Sequence, residues 1–260
     1  MSDGACRFQC FWGARLTFFA EMAMMQGSGA SKRPKQGRKT MYKLEMHAHC
    51  APVSACASAK PETVIARYRA AGYDGLVSTN HINGSTFRNM EEASWAEKIA
   101  FFMTGYRALR AAAGDDLDVL LGCEINLNGS VNDYLVYGVT EDWLLALGDP
   151  RDFSLETLSE RVRAAGLLLV QAHPFRYGSR LMNERLLDGV EVYNAHRNHD
   201  SHNFLAQLWA QERGLLRTAG SDFHDPDSHI GGGILTRERI SDNAALLRTL
   251  RGGDYELIMQ

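Results

Sequence analysis

The chain lacks any run apolar and long enough to span a bilayer, which excludes a helical membrane anchor. The nearest approach is residues 16–25, and Glu21 interrupts it. With only Arg7 and Arg15 ahead of it and no small-residue cleavage site behind, that run makes a weak signal peptide. Broad positive charge is also missing. The formal net charge is −3, and the basic residues gather only at residues 31–39. An extended nucleic-acid surface held by a basic field is therefore excluded, although a short nucleotide is not. Cysteine is sparse: Cys6, Cys10, Cys50, Cys56 and Cys123 are odd in number and irregularly spaced. That pattern does not fit a secreted disulfide framework and points to a reducing cytoplasm. No repeat of 20–50 residues is present, which argues against a solenoid.

What remains is an ordinary globular composition, 45% hydrophobic and 23% charged, in 260 residues. That is enough for one large α/β domain. Residues 1–40 differ from the rest, being rich in methionine at first and in Gly, Ser, Lys and Arg from Gln26 to Thr40. They read as a poorly ordered extension, or translation naturally starts at Met41, with the domain at residues 41–260. A zinc site built from Cys6, Cys10, Cys50 and Cys56 lacks the usual ligand spacing.

From Met41 onward strand and helix patterns alternate. Strands are expected at 74–79, 117–125, 134–139, 167–172, 190–193, 215–219 and 255–259, besides one opening at Met41. Helices are expected at 61–72, 91–113, 154–165, 204–213 and 242–251. Pro61 near a helix start and Gly72 after its end mark the first of them. Ser154 is the expected N-cap of another, with Thr157 in the place of a capping-box glutamate. Such alternation implies a parallel sheet, either open or closed into a barrel.

Just beyond the apolar runs lie side chains that bind metals: Glu45-Met46-His47-Ala48-His49, Thr79-Asn80-His81, Gly122-Cys123-Glu124, Ala172-His173-Pro174, Tyr193-Asn194-Ala195-His196 and Gly220-Ser221-Asp222-Phe223-His224. Residues i and i+2 of a strand share a side, so His47 with His49, and Asp222 with His224, can each reach one ion. Taken alone, each cluster also has a plainer reading, such as surface histidines, a capping Asp222, or a buried ion pair at Glu124. Their recurrence at strand exits favours a polynuclear metal site at the mouth of a barrel. His199 competes with His196, while His202 reads as a solvated loop residue. Arg176, Arg180, Arg197 and Arg88 fall in loops expected on the metal side. Arg176, three residues after His173, is the first choice for a phosphate contact.

This constellation resembles the PHP (polymerase and histidinol phosphatase) superfamily from about Met41 to the C-terminus. The Ala71-Gly72-Tyr73-Asp74-Gly75 segment leading into Thr79-Asn80-His81 adds to the likeness. The resemblance implies a distorted (β/α)₇ barrel with two or three divalent ions, zinc, manganese or iron, at the C-terminal strand ends. It implies a first ion held by His47, His49, Glu124 and Asp222. Glu124 would bridge to a second ion with His173 and His196, and His81 and His224 would hold a third. The chain departs from the family in carrying Glu45 and Asn80 where aspartates are usual. It also lacks a loop histidine, and Cys56 stands near that position as either a thiolate ligand or a plain buried cysteine. The implied activity is hydrolysis of a small phosphomonoester or nucleotide, with Glu124, His224 and Arg176 in catalytic roles. A hydrolase of non-phosphate bonds and a non-catalytic regulatory barrel are the other readings.

Overall fold

The computed structural model describes residues 41–260, so the expected extension at residues 1–40 lies outside the described part. In chain order the elements are β1 (Tyr42–Ala48), α1 (Pro61–Ala70), β2 (Gly75–Ser78), β3 (His81–Ile82), α2 (Trp95–Ala113), β4 (Asp118–Asn126) and β5 (Asp133–Tyr137). There follow α3 (Glu141–Leu147), α4 (Leu155–Ala164), β6 (Leu168–Gln171), β7 (Gly189–Asn194), α5 (Asn203–Arg213), β8 (Leu216–Gly220), β9 (Gly232–Thr236), α6 (Asn243–Gly252) and β10 (Glu256–Met259). Among the described residues, no helix is long and apolar enough to cross a membrane.

The ten strands form one sheet in the order β10-β9-β1-β2-β4-β5-β6-β7-β8, with β3 paired to β4 off this path. The sheet nearly closes on itself where β1 ends. Ala48 bridges Phe223 in parallel sense, the His49 N–H donates to Phe223 O at 2.9 Å, and the Phe223 N–H donates to His47 O at 3.3 Å. Of the two arrangements that alternation left open, this is the barrel. β2, β5 and β6 are buried along their whole length, as strands covered on both faces must be.

The sheet is not uniformly parallel. β5 runs antiparallel to β4 and β6, and β9 runs antiparallel to β1 and β10. The cause at β5 is chain length: only residues 127–132 join β4 to β5. A parallel crossover needs a dozen residues or more, whereas a short connection makes a hairpin. No helix separates β2 from β3 or β8 from β9 either. The regular (β/α)₇ succession is thus replaced by a mixed, barrel-shaped sheet. β3, α3 and β9 have no counterpart among the expected elements. The long helix begins at Trp95 rather than residue 91, because Ser94 caps it and Glu97 completes a capping box. Ser154 caps α4 as expected, accepting from the Thr157 N–H at 3.2 Å.

Candidate metal centre

The C-terminal ends of the parallel strands meet at one mouth. His47 is the penultimate residue of β1, with His49 just past the strand, and their Nε2 atoms converge. His47 Nε2 stands 3.2 Å from Glu124 Oε2 and 3.3 Å from Asp222 Oδ1. His49 Nε2 is 3.3 Å from each of the same two oxygens. These four residues are buried, and neither Nε2 nor either Glu124 oxygen has a hydrogen-bond partner in the protein. Buried polar atoms without partners are costly and demand an explanation. A cation supplies one. Four donors placed tetrahedrally about 2.0–2.1 Å from an ion lie about 3.3 Å from one another. The four imidazole-to-carboxylate separations, 3.2–3.3 Å, match that spacing.

Local structure accounts for this convergence. Glu124 lies inside β4, two residues before its end, and its register partner in β3 is His81. His81 Nδ1 comes 3.0 Å from Glu124 Oε2 as a result. Asp222 and His224 flank Phe223, whose fully buried ring packs on Tyr68 at 5.4 Å between centroids. Burying a phenylalanine is worth about 1.5–3 kcal/mol, enough to pin the loop with its two polar neighbours turned to the mouth. Asp222 has φ +50° and His173 φ +27°. Non-glycine residues avoid this region, and strain of this kind concentrates at functional sites. Gly220 has a packing reason rather than a turn reason, since its φ is ordinary. A Cβ there would collide with the His47 Cβ and lie 2.7 Å from Glu191 Oε1.

The structure also places the other expected residues. His173 Nε2 faces the second Glu124 oxygen, Oε1, at 3.4 Å. His224 Nδ1 is 3.4 Å from Asp222 Oδ1, and the ligand atoms of His49, His81 and His224 form a further cluster. His196 is half-buried and joins none of the converging groups. Its ring stacks on His199 at 4.6 Å and meets His224 edge-on at 5.6 Å. His199 Nε2 reaches to 3.8 Å from Asp222 Oδ2. Cys56 is an exposed free thiol at the rim, so it is not a plain buried cysteine. Among the described residues, Arg176 is the one arginine lining the cavity of about 670 Å³ above the cluster. Arg197 is exposed and paired with His229 Nδ1 at 2.9 Å, and Arg88 and Arg180 are exposed.

Residues outside the expected ligand set surround these groups. Glu191, buried in β7, accepts from His47 Nδ1 at 2.8 Å and from the His173 N–H at 2.9 Å. A carboxylate behind an imidazole fixes its tautomer and raises its basicity as a ligand. Glu45 takes a similar supporting place. Its Oε1 accepts from the N–H groups of Met46, His47 and Ser221, and its Oε2 from the hydroxyls of Tyr68 and Ser221. Burial pushes its carboxyl up to about 7 against the pull of these donors. Asn80 Oδ1 accepts from the Ser54 hydroxyl at 2.9 Å, and Ser54 Oγ lies 3.2 Å from His49 Nδ1. The amide thus supports His49 through Ser54. Asp133, at the start of β5, lies 3.9 Å from His173 Nε2 and 3.5 Å from an Arg176 nitrogen.

The charges are coupled. Burial opposes a proton on His47, but Asp222, Glu124 and Glu191 override it and hold its pKa well above the ordinary imidazole value. Burial likewise opposes ionisation of Glu124, but His47 and His81 take its pKa well below the usual carboxylate range. His81 falls to about 3, through burial first. A neutral His81 among buried carboxylates is the form that binds metal.

Glu191→Gln keeps the shape of that support and weakens it. Affinity for the first divalent ion is expected to fall about 10–100-fold, as for other supporting partners of a ligating histidine. A metal titration of the apoprotein measures this, and an unchanged affinity would reduce Glu191 to a packing role.

No protein-family model matches the chain, and no curated protein matches it. Solved structures do resemble it. A two-domain protein from Bacteroides vulgatus containing a predicted PHP-like metal-dependent phosphoesterase aligns with TM-score 0.60 and 14% identity, over 89% of this chain and 70% of its own. PsfC from Pseudomonas syringae aligns with TM-score 0.60 and 17% identity, over 85% of this chain and 93% of its own. The lesion-specific endonuclease PfuEndoQ from Pyrococcus furiosus aligns with TM-score 0.57 and 14% identity, over 84% of this chain and 57% of its own. What they share with this chain is the fold. That fold is a barrel-shaped α/β sheet, the architecture expected from the sequence.

Proposed function

We propose that this chain is a metal-dependent phosphoesterase acting on a small phosphomonoester or nucleotide. The observation that carries this reading is the set of buried, partnerless imidazole and carboxylate atoms about 3.3 Å apart beneath an open cavity. His47, His49, Glu124 and Asp222 would hold a first divalent ion, and Glu124, through Oε1, would share in a second beside His173. His49, His81 and His224 offer a third group of ligands. Such ions, when bound, supply Lewis acidity toward phosphate oxygens and lower the pKa of water.

The protein's own groups do the rest. Arg176, part-buried beside Asp133, presents its guanidinium to the cavity, where it would clamp phosphate oxygens. His224 sits at the rim, and burial together with nearby His49 brings its pKa down to about 4. A neutral imidazole suits a ligand better than a proton donor, so the leaving oxygen would take its proton from elsewhere. The cavity has room for a compact ester. The low net charge agrees with that choice.

Steady-state assays on a panel of phosphate esters with Mn²⁺, Zn²⁺ or Fe²⁺ test the reading. Arg176→Ala is expected to lower kcat/KM by roughly one to two orders of magnitude with metal content intact, since a charge-assisted hydrogen bond is worth about 1.5–3 kcal/mol. Inorganic phosphate should inhibit the wild type more strongly than this variant. Absence of phosphate inhibition from both proteins, with no ester cleaved, would favour a hydrolase of non-phosphate bonds.

A further inference from the structure

We infer that Asp133 is a metal ligand, completing a second ion site with Glu124 Oε1 and His173 Nε2. The ligand atoms of these three buried residues all lie within 4.8 Å of one another. His173 Nε2 is 3.4 Å from Glu124 Oε1 and 3.9 Å from Asp133 Oδ2. Donors that share one ion at about 2.0–2.2 Å cannot be more than about 4.4 Å apart, so both separations suit a common ion. Glu124 Oε1 is buried with no hydrogen-bond partner and is aimed into this group.

The chemistry of Asp133 is divided between its two oxygens. Oδ1 accepts from Asn126 Nδ2 at 3.0 Å, which fixes the plane of the carboxylate. Oδ2 is then left pointing at His173, with the part-exposed Arg176 at 3.5 Å beyond. An ion pair alone would not require the third member, Glu124 Oε1, to stand unpartnered beside it. β5 explains how an aspartate comes to be there. The strand runs antiparallel to β4, with Asp133 in register with Asn126, so its entry lies at the end where β4 carries Glu124. The position that family resemblance gives to His196 is thus filled geometrically by Asp133, while His196 stacks on His199.

This assignment rests on the metal reading of the site and is tested by binding rather than turnover. Apoprotein, prepared by chelation, is titrated with Mn²⁺ and the bound ions are counted. The wild type should bind at least two per chain. Asp133→Asn should bind one fewer, while Arg176→Ala keeps the full number. A second variant, Asp133→Cys, loaded with Co²⁺, should show thiolate-to-cobalt charge-transfer absorption beyond that of the wild type. The inference is overturned if Asp133→Asn binds as many ions as tightly as the wild type. It is overturned equally if Asp133→Asn is unfolded and Asp133→Cys shows no added absorption. A wild type that binds no ion would defeat the functional reading as well, whereas two ions in both wild type and Asp133→Asn would defeat this assignment alone.

Discussion

Glu124→Gln is expected to strip the centre of metal and activity together. One Glu124 oxygen faces His47, His49 and His81, and the other faces His173. Glu191 also contacts both sides, but through His47 Nδ1 and the His173 N–H rather than the converging Nε2 atoms. The amide nearly keeps the shape but loses the charge that offsets several divalent charges in a buried place. Loss of a partner behind a ligand already costs about 10–100-fold in affinity, so loss of a bridging ligand should cost on the order of 100-fold or more. Turnover at fixed metal should fall at least in proportion. Metal content by elemental analysis and kcat on the best ester are the measurements. A metal-replete, active Glu124→Gln protein would mean that Glu124 is only a structural ion-pair partner.

Removing the ions should also destabilise the fold. An ion present at a hundred times its Kd stabilises the native state by about 2.7 kcal/mol. In a chain of this size that corresponds to a fall in Tm of about 5–10 °C for each ion lost. The deficit should depend on pH in a defined direction. In the apoprotein the carboxylates hold the pKa of His47 well above its unfolded value near 6.5. Its stabilising contribution is complete below that value and is lost as pH rises through the folded pKa. From about pH 6.5 upward that contribution shrinks, and above the folded pKa the apoprotein has lost the proton that balances Glu124 and Asp222. The holoprotein has no such loss, because metal replaces that proton and binds more tightly as pH rises. The gap in Tm between the two forms should widen from pH 6.5 toward pH 8.5. A constant or narrowing gap would indicate that protons and metal do not compete at His47.

The sequence was legible where the fold follows parallel-strand rules. His47, His49, His173, Asp222 and His224 all stand at or just past the exits of parallel strands, and apolar runs ending in such residues locate them without any structure. Glu124 and His81 also lie beside that mouth, although Glu124 is within β4 and β3 was not foreseen. Asp133 escaped because the same logic looks only at strand exits. In an antiparallel strand the entry, not the exit, reaches the mouth, and the reversal is caused by the short link at residues 127–132. Glu191 escaped for a different reason. It lies mid-strand between Val190 and Val192 and carries no motif. Its one signal was a lone carboxylate in an apolar run, where burial without a partner would be costly. Glu45 and Asn80 read as departures from a family pattern, but their hydrogen bonds to the His47 backbone and to Ser54 show them as supports of the ligands.

The most direct test of the account is a count of divalent ions in protein purified without chelator and supplied with Mn²⁺, Zn²⁺ or Fe²⁺. The clustering of His47, His49, Glu124 and Asp222 on one side and of Glu124 and His173 on the other is the ground for proposing at least two ions per chain. Elemental analysis giving two or more per chain is the expected result. One ion, or none, under metal-replete conditions would contradict the polynuclear centre.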